Sequence, residues 1–228
     1  MSDAATLAQR LGHTFADPSL LETALRHASW AHEQEDSESN ERLEFLGDAV
    51  LDVVVSELLY AAHPSWDEGA LTRTRAALVR RDTLARQARA IDLGAHLVLG
   101  RTEAQSGGAE KASVLANSFE AVIGALYLDG GLEPVRALCE RLYGDALRED
   151  VEKDPKTLLN EWVHANLGNL TPRYETRDDS GVEGDESRFT VVALIEDRVR
   201  GTGSGRTKRA AEREAALEAL REANASDE

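Results

Sequence analysis

Apolar residues recur at helical spacing over roughly the first two thirds of the chain, then shift to strand-like runs near its end. From residue 4 to about 149 the pattern predicts helices. Asp17-Pro18-Ser19 is a helix start ahead of Leu20, Leu21, Ala24 and Leu25. A long helix is expected over 41–62, ended by His63-Pro64. Asp67-Glu68-Gly69 leads into a helix at 71–78, Asp82 caps another at 84–91, and Gly94 breaks the chain. Residues 101–111 are rich in glycine and polar side chains and read as a loop. Helix returns at 112–129, with Val114, Leu115, Phe119, Val122, Ile123 and Leu126 as its apolar set. Gly130-Gly131 stops it, and a last helix covers 132–147.

The charged stretch 149–155, with its proline, reads as a linker. Beyond it a helix at 156–166 is followed by strands at 172–177, 188–195 and 198–202, the middle one rich in β-formers. Gly203-Ser204-Gly205 reads as a loop, 206–223 as an alanine-rich helix, and 225–228 as a frayed end. The expected organisation is an all-α domain over 4–148, a linker over 149–155, and a small α+β unit of α-β-β-β-α order over 156–223.

Composition narrows the function. No apolar run approaches the ~18 residues of a membrane span, and residues 1–10 lack the basic-then-apolar pattern of a secretory leader. Cys139 is the sole cysteine, which suits a reducing cytoplasm and a helix-packing role. Lys plus Arg number 26 against 42 Asp plus Glu, a net charge of −16. That field repels a polyanion, so any nucleic-acid binding must come from local basic clusters, the global repulsion being screened over about 8 Å.

The chemistry is concentrated in residues 40–51. Glu41, Glu44 and Asp48 fall within an arc of about 60° on one helix face, among Leu43, Phe45, Leu46, Val50 and Leu51. Acids so placed repel one another unless a cation bridges them. Asn117 and Glu120 share a face of the 112–129 helix. If the two helices pack together, Glu44, Asp48, Asn117 and Glu120 form an oxygen-only set, which suits Mg²⁺ and phosphodiester hydrolysis.

At these residues the chain resembles the ribonuclease III family. The resemblance rests on Glu41-Arg-Leu-Glu44-Phe-Leu-Gly47-Asp48, then Glu68-Gly69-Ala-Leu71-Thr-Arg73, Leu99-Gly100-Arg101, Gly107-Gly108 and Phe119-Glu120-Ala-Val-Ile-Gly124, and it covers about 5–222. It implies that Glu44, Asn117 and Glu120 hold Mg²⁺ (with Mn²⁺ as a substitute), and that Asp48 and Glu120 are catalytic. It places Glu41 in the outer part of the acidic cluster and Phe45 at the interface of a two-fold homodimer. It implies cleavage of double-stranded RNA to 5′-phosphate and 3′-hydroxyl ends with two-nucleotide 3′ overhangs, in processing of ribosomal RNA precursors and structured messages. Most relatives carry Asp where Asn117 stands, so one charge is missing. The alternative is a catalytically weak or inactive duplex-RNA-binding regulator.

Residues 155–222 resemble the double-stranded RNA-binding domain that follows the nuclease domain in this family, through Gly201-Thr-Gly203-Ser-Gly205-Arg206-Thr-Lys208-Arg209-Ala-Ala-Glu212. Arg206, Lys208 and Arg209 cluster at a helix start, which favours phosphate. The resemblance sets Asn160 and His164 on the helix that meets a minor groove. Asp185 takes a position where relatives often have His, and its loop is acidic, so weaker duplex affinity is expected.

Overall fold

In the computed structural model, residues 3–34, 38–149 and 153–225 are described. The chain divides into two compact units, Met1–Val151 and Glu152–Glu228. Residues 150–152 of the expected linker, and 226–228 of the expected frayed end, lie outside the described residues.

The first unit is helical: α1 (Asp3–Leu11), α2 (Pro18–Ala24), α3 (Ala28–Ala31), α4 (Glu41–Ala62), α5 (Glu68–Leu78), α6 (Arg81–Ala90), α7 (Arg101–Gln105), α8 (Ala112–Gly130) and α9 (Leu132–Tyr143). Single 3-10 turns lie at Leu93–His96, Gly108–Glu110 and Gly144–Leu147. Helix α8 is the hub. Val114, Leu115, Phe119, Val122, Ile123 and Leu126 are buried, as are Ala116, Ala121 and Ala125. A helix apolar nearly all round belongs at the centre of its domain.

Helix α4 crosses α8 at two glycines. A Cβ on Gly47 would lie 1.7 Å from the Glu120 carbonyl oxygen, and one on Gly124 would lie 2.3 Å from that of Leu43. The backbones touch, and no other residue type fits. Cys139 is buried on α9, where burial pushes its thiol up to about 12. That suits packing and excludes a reactive thiolate.

Several expectations need correction. Residues 101–111 are not an open loop: α7 and a 3-10 turn occupy most of it. The Glu33 carboxylate accepts the Arg101 N–H at 2.8 Å and Lys111 bonds Glu103 at 2.8 Å. The first clamp comes from a distant side chain and the second spans the segment itself, and neither shows in its glycine-rich composition. Asp67 caps α5, accepting the Ala70 N–H at 2.7 Å. Asp82, by contrast, lies inside α6, whose cap position is Arg80. The segment expected to be one helix over 132–147 tightens to a 3-10 turn after Tyr143, where Gly144 has φ +48°.

The second unit runs α10 (Pro155–Leu167), β1 (Arg173–Asp179), β2 (Phe189–Ile195), β3 (Arg198–Gly205) and α11 (Lys208–Ala225), with an antiparallel sheet in the order β1-β2-β3. Asp154 caps α10 through the Lys156 N–H at 3.0 Å. Gly203-Ser204-Gly205 is strand, not loop, pairing with Val191, Thr190 and Phe189. The reason is again close packing. Cβ atoms on Gly201 and Gly203 would lie 2.2 Å from backbone atoms of Ala215, so glycine and alanine together let α11 lie on the sheet. The core is Leu159, Val163, Ala193, Ile195, Ala215, Ala216 and Ala219.

Candidate active site and nucleic-acid interface

Four carboxylates of α4, at residues 41, 44, 48 and 52, repeat along one face of the helix. The glycine crossing brings α8 against that face. One open cleft of about 550 Å³ results, lined by His27, Ala28, Asn40, Glu41, Glu44, Phe45, Asp48, Asn117 and Glu120. The structure thus gathers Glu41, Glu44, Asp48, Asn117 and Glu120, residues up to 79 positions apart in sequence, in one place.

The cleft is short of positive charge. Burial first, then Asp48, Glu44 and Asp52, push the Glu120 carboxyl up to about 7. Glu44 is also raised, chiefly by burial and by Glu41 and Asp48, while a hydrogen bond from the Asn117 side chain opposes the rise. Asp48 and Asn117 are exposed; Glu44 and Glu120 are half-buried.

Among the described residues, no three His, Cys, Asp or Glu side chains stand close enough to ligate an ion as they are placed. Carboxylates with no counter-charge between them repel one another, and Asn117 brings an uncharged amide oxygen beside the four of them. The donor set still fits a hard divalent cation: every candidate is oxygen, the group is partly desolvated, and its protons are held by mutual repulsion that a cation relieves.

Three further groups belong to the site. Asn40 is 2 % exposed and does not cap α4 through its side chain; instead its amide donates to the Ala24 carbonyl at 3.2 Å and to Ser118 Oγ at 3.5 Å. It pins the start of α4 to α2 and α8. His27 reaches the cleft because its N–H donates to the Val98 carbonyl at 3.0 Å, fixing the end of the α2 segment. Asp52 extends the acidic stripe by one turn, 4.0 Å from the Arg75 guanidinium. A residue repeating at i+4 after Asp48 was visible, and only its neighbours across the cleft give it meaning.

Phe45 projects from the rim, 81 % exposed. A second hollow beside it is lined by Leu20, Leu43, Phe45, Leu46 and Leu128 among others. Val53 and Tyr60 of the same helix are exposed as well.

In the second unit Arg206, Lys208 and Arg209 are exposed around the start of α11. The helix begins at Lys208, after Arg206, and the Thr207 hydroxyl accepts the Ala210 N–H at 3.2 Å. Lys208 Nζ lies 5.8 Å from the Phe189 ring centre. His164 is exposed on α10, whereas Asn160 is half-buried with its Oδ1 unpaired. The acidic loop is ordered by its own contacts. Asp185 accepts from the Ser187 N–H at 2.9 Å and from Ser180 Oγ at 2.8 Å, which hold its carboxyl below the usual range. Asp179 pairs with Arg188 at 2.9 Å, and Glu186 stands 4.0 Å from Arg206.

Residues 17–147 match the family described as Ribonuclease-III-like, and residues 155–222 match the double-stranded RNA binding motif. The chain is 47 % identical to Ribonuclease 3 of Heliobacterium modesticaldum over 96 % of this chain and 94 % of that protein. It is 44 % identical to Ribonuclease 3 of Bdellovibrio bacteriovorus, over 94 % of each. The nuclease domain of ribonuclease III from Campylobacter jejuni superposes with a TM-score of 0.59 at 39 % identity, covering 67 % of this chain and all of that one.

Proposed function

This chain belongs to the ribonuclease III family and is an endoribonuclease with a double-stranded RNA-binding domain, and on that premise we propose that it works as a Mg²⁺-dependent homodimer on duplex RNA. The products are 5′-phosphate and 3′-hydroxyl ends with two-nucleotide 3′ overhangs, and the substrates are ribosomal RNA precursors and structured messages in the cytoplasm. Among the described residues, no helix is long and apolar enough to cross a membrane.

The observation that carries the proposal is the acidic cleft at the Gly47–Gly124 crossing. Glu44, Asn117 and Glu120 would hold the cation there, with Mn²⁺ able to substitute. When bound, it supplies charge for the phosphoryl oxygen and lowers the pKa of the attacking water. Asp48 and Glu120 would orient that water and take up its proton. Without the cation Glu120 is pushed up to about 7 by burial and its acidic neighbours, and a bound cation would relieve that repulsion and favour the ionised carboxylate. Glu41, fixed by the Ser39 hydroxyl at 2.7 Å, occupies the outer end of the cleft. Phe45 fills a socket on the second copy and sets two clefts across one duplex. In the appended domain Asn160 and His164 meet a minor groove, and Arg206, Lys208 and Arg209 the phosphates.

A labelled hairpin RNA incubated with Mg²⁺ tests this. The wild type should cut both strands, and Glu120→Ala should bind the hairpin without cutting it. Binding by the wild type with no cutting at any Mg²⁺ or Mn²⁺ concentration would favour a duplex-binding regulator, for which Asn117 would be the mark.

A further inference from the structure

We propose that His27 is a further substrate-contacting residue, donating its Nε2–H to a phosphoryl oxygen of the RNA strand that enters the acidic cleft. The inference rests on the nuclease reading of that cleft.

The Ser29 backbone N–H, which can only donate, selects the tautomer. The Gly100 backbone N–H donates to Ser29 Oγ at 2.9 Å. Ser29 Oγ keeps its own proton free to donate, and it lies 2.9 Å from His27 Nδ1. The Ser29 backbone N–H also points at Nδ1, at 3.2 Å. Two donors meet at Nδ1, so Nδ1 is the acceptor and the ring proton sits on Nε2. The other polar groups of His27 are occupied. Its N–H bonds the Val98 carbonyl at 3.0 Å, and its own carbonyl accepts from Trp30 at 2.9 Å and Ala31 at 3.3 Å. Nε2–H is what remains.

A phosphodiester presents only acceptors and needs donors around it. Glu41, Glu44, Asp48 and Glu120 offer none when ionised. Both amide protons of Asn40 go to Ala24 and Ser118, and Asn117 hydrogen-bonds Glu44. Phe45 and Ala28 have no polar side-chain atom. Among the described lining residues, His27 thus offers a ring N–H on a fixed scaffold, beside the second N–H of the exposed Asn117 amide.

His27 also caps α3, so the variants must separate the two roles. His27→Ser and His27→Asn keep a side-chain acceptor for the Ser29 N–H but cannot extend a donor to the position of Nε2. In the full chain, single-turnover cutting of a hairpin at saturating enzyme and Mg²⁺ should fall roughly tenfold or more in both. Hairpin affinity measured without Mg²⁺ should stay within twofold, and melting temperature should not change. Cutting within twofold of wild type would overturn the inference while leaving the nuclease reading intact. Rates that fall only together with melting temperature, and recover on cooling, would overturn it in favour of capping alone. A wild type that does not cut would overturn the reading of the cleft, and this inference with it.

Discussion

Replacing Gly47 by alanine probes the joint on which the active cleft is built. The added Cβ would sit 1.7 Å from the Glu120 carbonyl oxygen, 2.6 Å from its carbon and 2.8 Å from the Gly124 nitrogen. All three are backbone atoms, so no rotamer change relieves the clash. To reach even 3.0 Å from the oxygen, α4 and α8 must part by roughly 1.3 Å. Overpacking of this kind costs about 1–3 kcal/mol. In a unit spanning Met1–Val151 that corresponds to a fall in melting temperature of about 2–12 °C. The same displacement carries Asn117 and Glu120 away from Glu44 and Asp48, and a misplacement of about 1 Å can lower a rate some hundredfold. Calorimetry of the Gly47→Ala chain, with hairpin cutting below its transition, measures both. Gly124→Ala should behave alike, and the double variant should lose less than the sum, because one separation accommodates both methyls. A Gly47→Ala protein with wild-type melting temperature and wild-type rate would refute the close crossing and the placement of the site upon it.

Other outcomes follow from charge. Glu120 has a folded pKa raised to about 7 from 4.5, so the folded chain holds a proton that the unfolded chain releases between those values. Its contribution to stability is fully present below about 4.5 and is lost as pH rises through about 7. With EDTA present, thermal melts of Glu120→Gln should lack that decline and lie above the wild type at pH 8; parallel curves for the two proteins would contradict the assignment. Asn117→Asp replaces a hydrogen bond to Glu44 with a further negative charge. It should lower the metal-free melting temperature at pH 8 and lower the Mg²⁺ concentration for half-maximal cutting, and an unchanged half-saturation would reject the idea. Lys208→Ala should weaken hairpin binding and reduce its salt slope by about one unit, as filter binding over a salt series would register. Glu186→Gln, which frees Arg206, should raise affinity in the same assay; no rise would mean that the 4.0 Å pairing does not compete with RNA.

The two-unit organisation, the long acid-bearing helix and the three strands are legible in the chain because each follows from local periodicity. Helix α4 begins and ends where the pattern 41–62 says it should, since its apolar stripe and the His63-Pro64 stop are both local. Legibility fails where a distant residue does the holding. The start of the helix at 101–105 is held by Glu33, 68 positions away in the chain. Gly203-Ser204-Gly205 is strand because α11 presses on it. Asn40, which precedes α4 like an ordinary cap, is instead a buried bolt between α2 and α8.

For the site itself, sequence alone determined the types of group and their order on each helix: carboxylates at 41, 44 and 48 on one face, and an amide and a carboxylate at 117 and 120 on another. Helical spacing places side chains on a face but says nothing about what faces them. Only the tertiary structure decided that these two faces share a cleft, that Asp52 lends its charge to Glu120, and that His27 and Asn40 belong to the same wall. Those relations depend on how near two backbones can come, and at Gly47 and Gly124 the missing Cβ atoms set that distance.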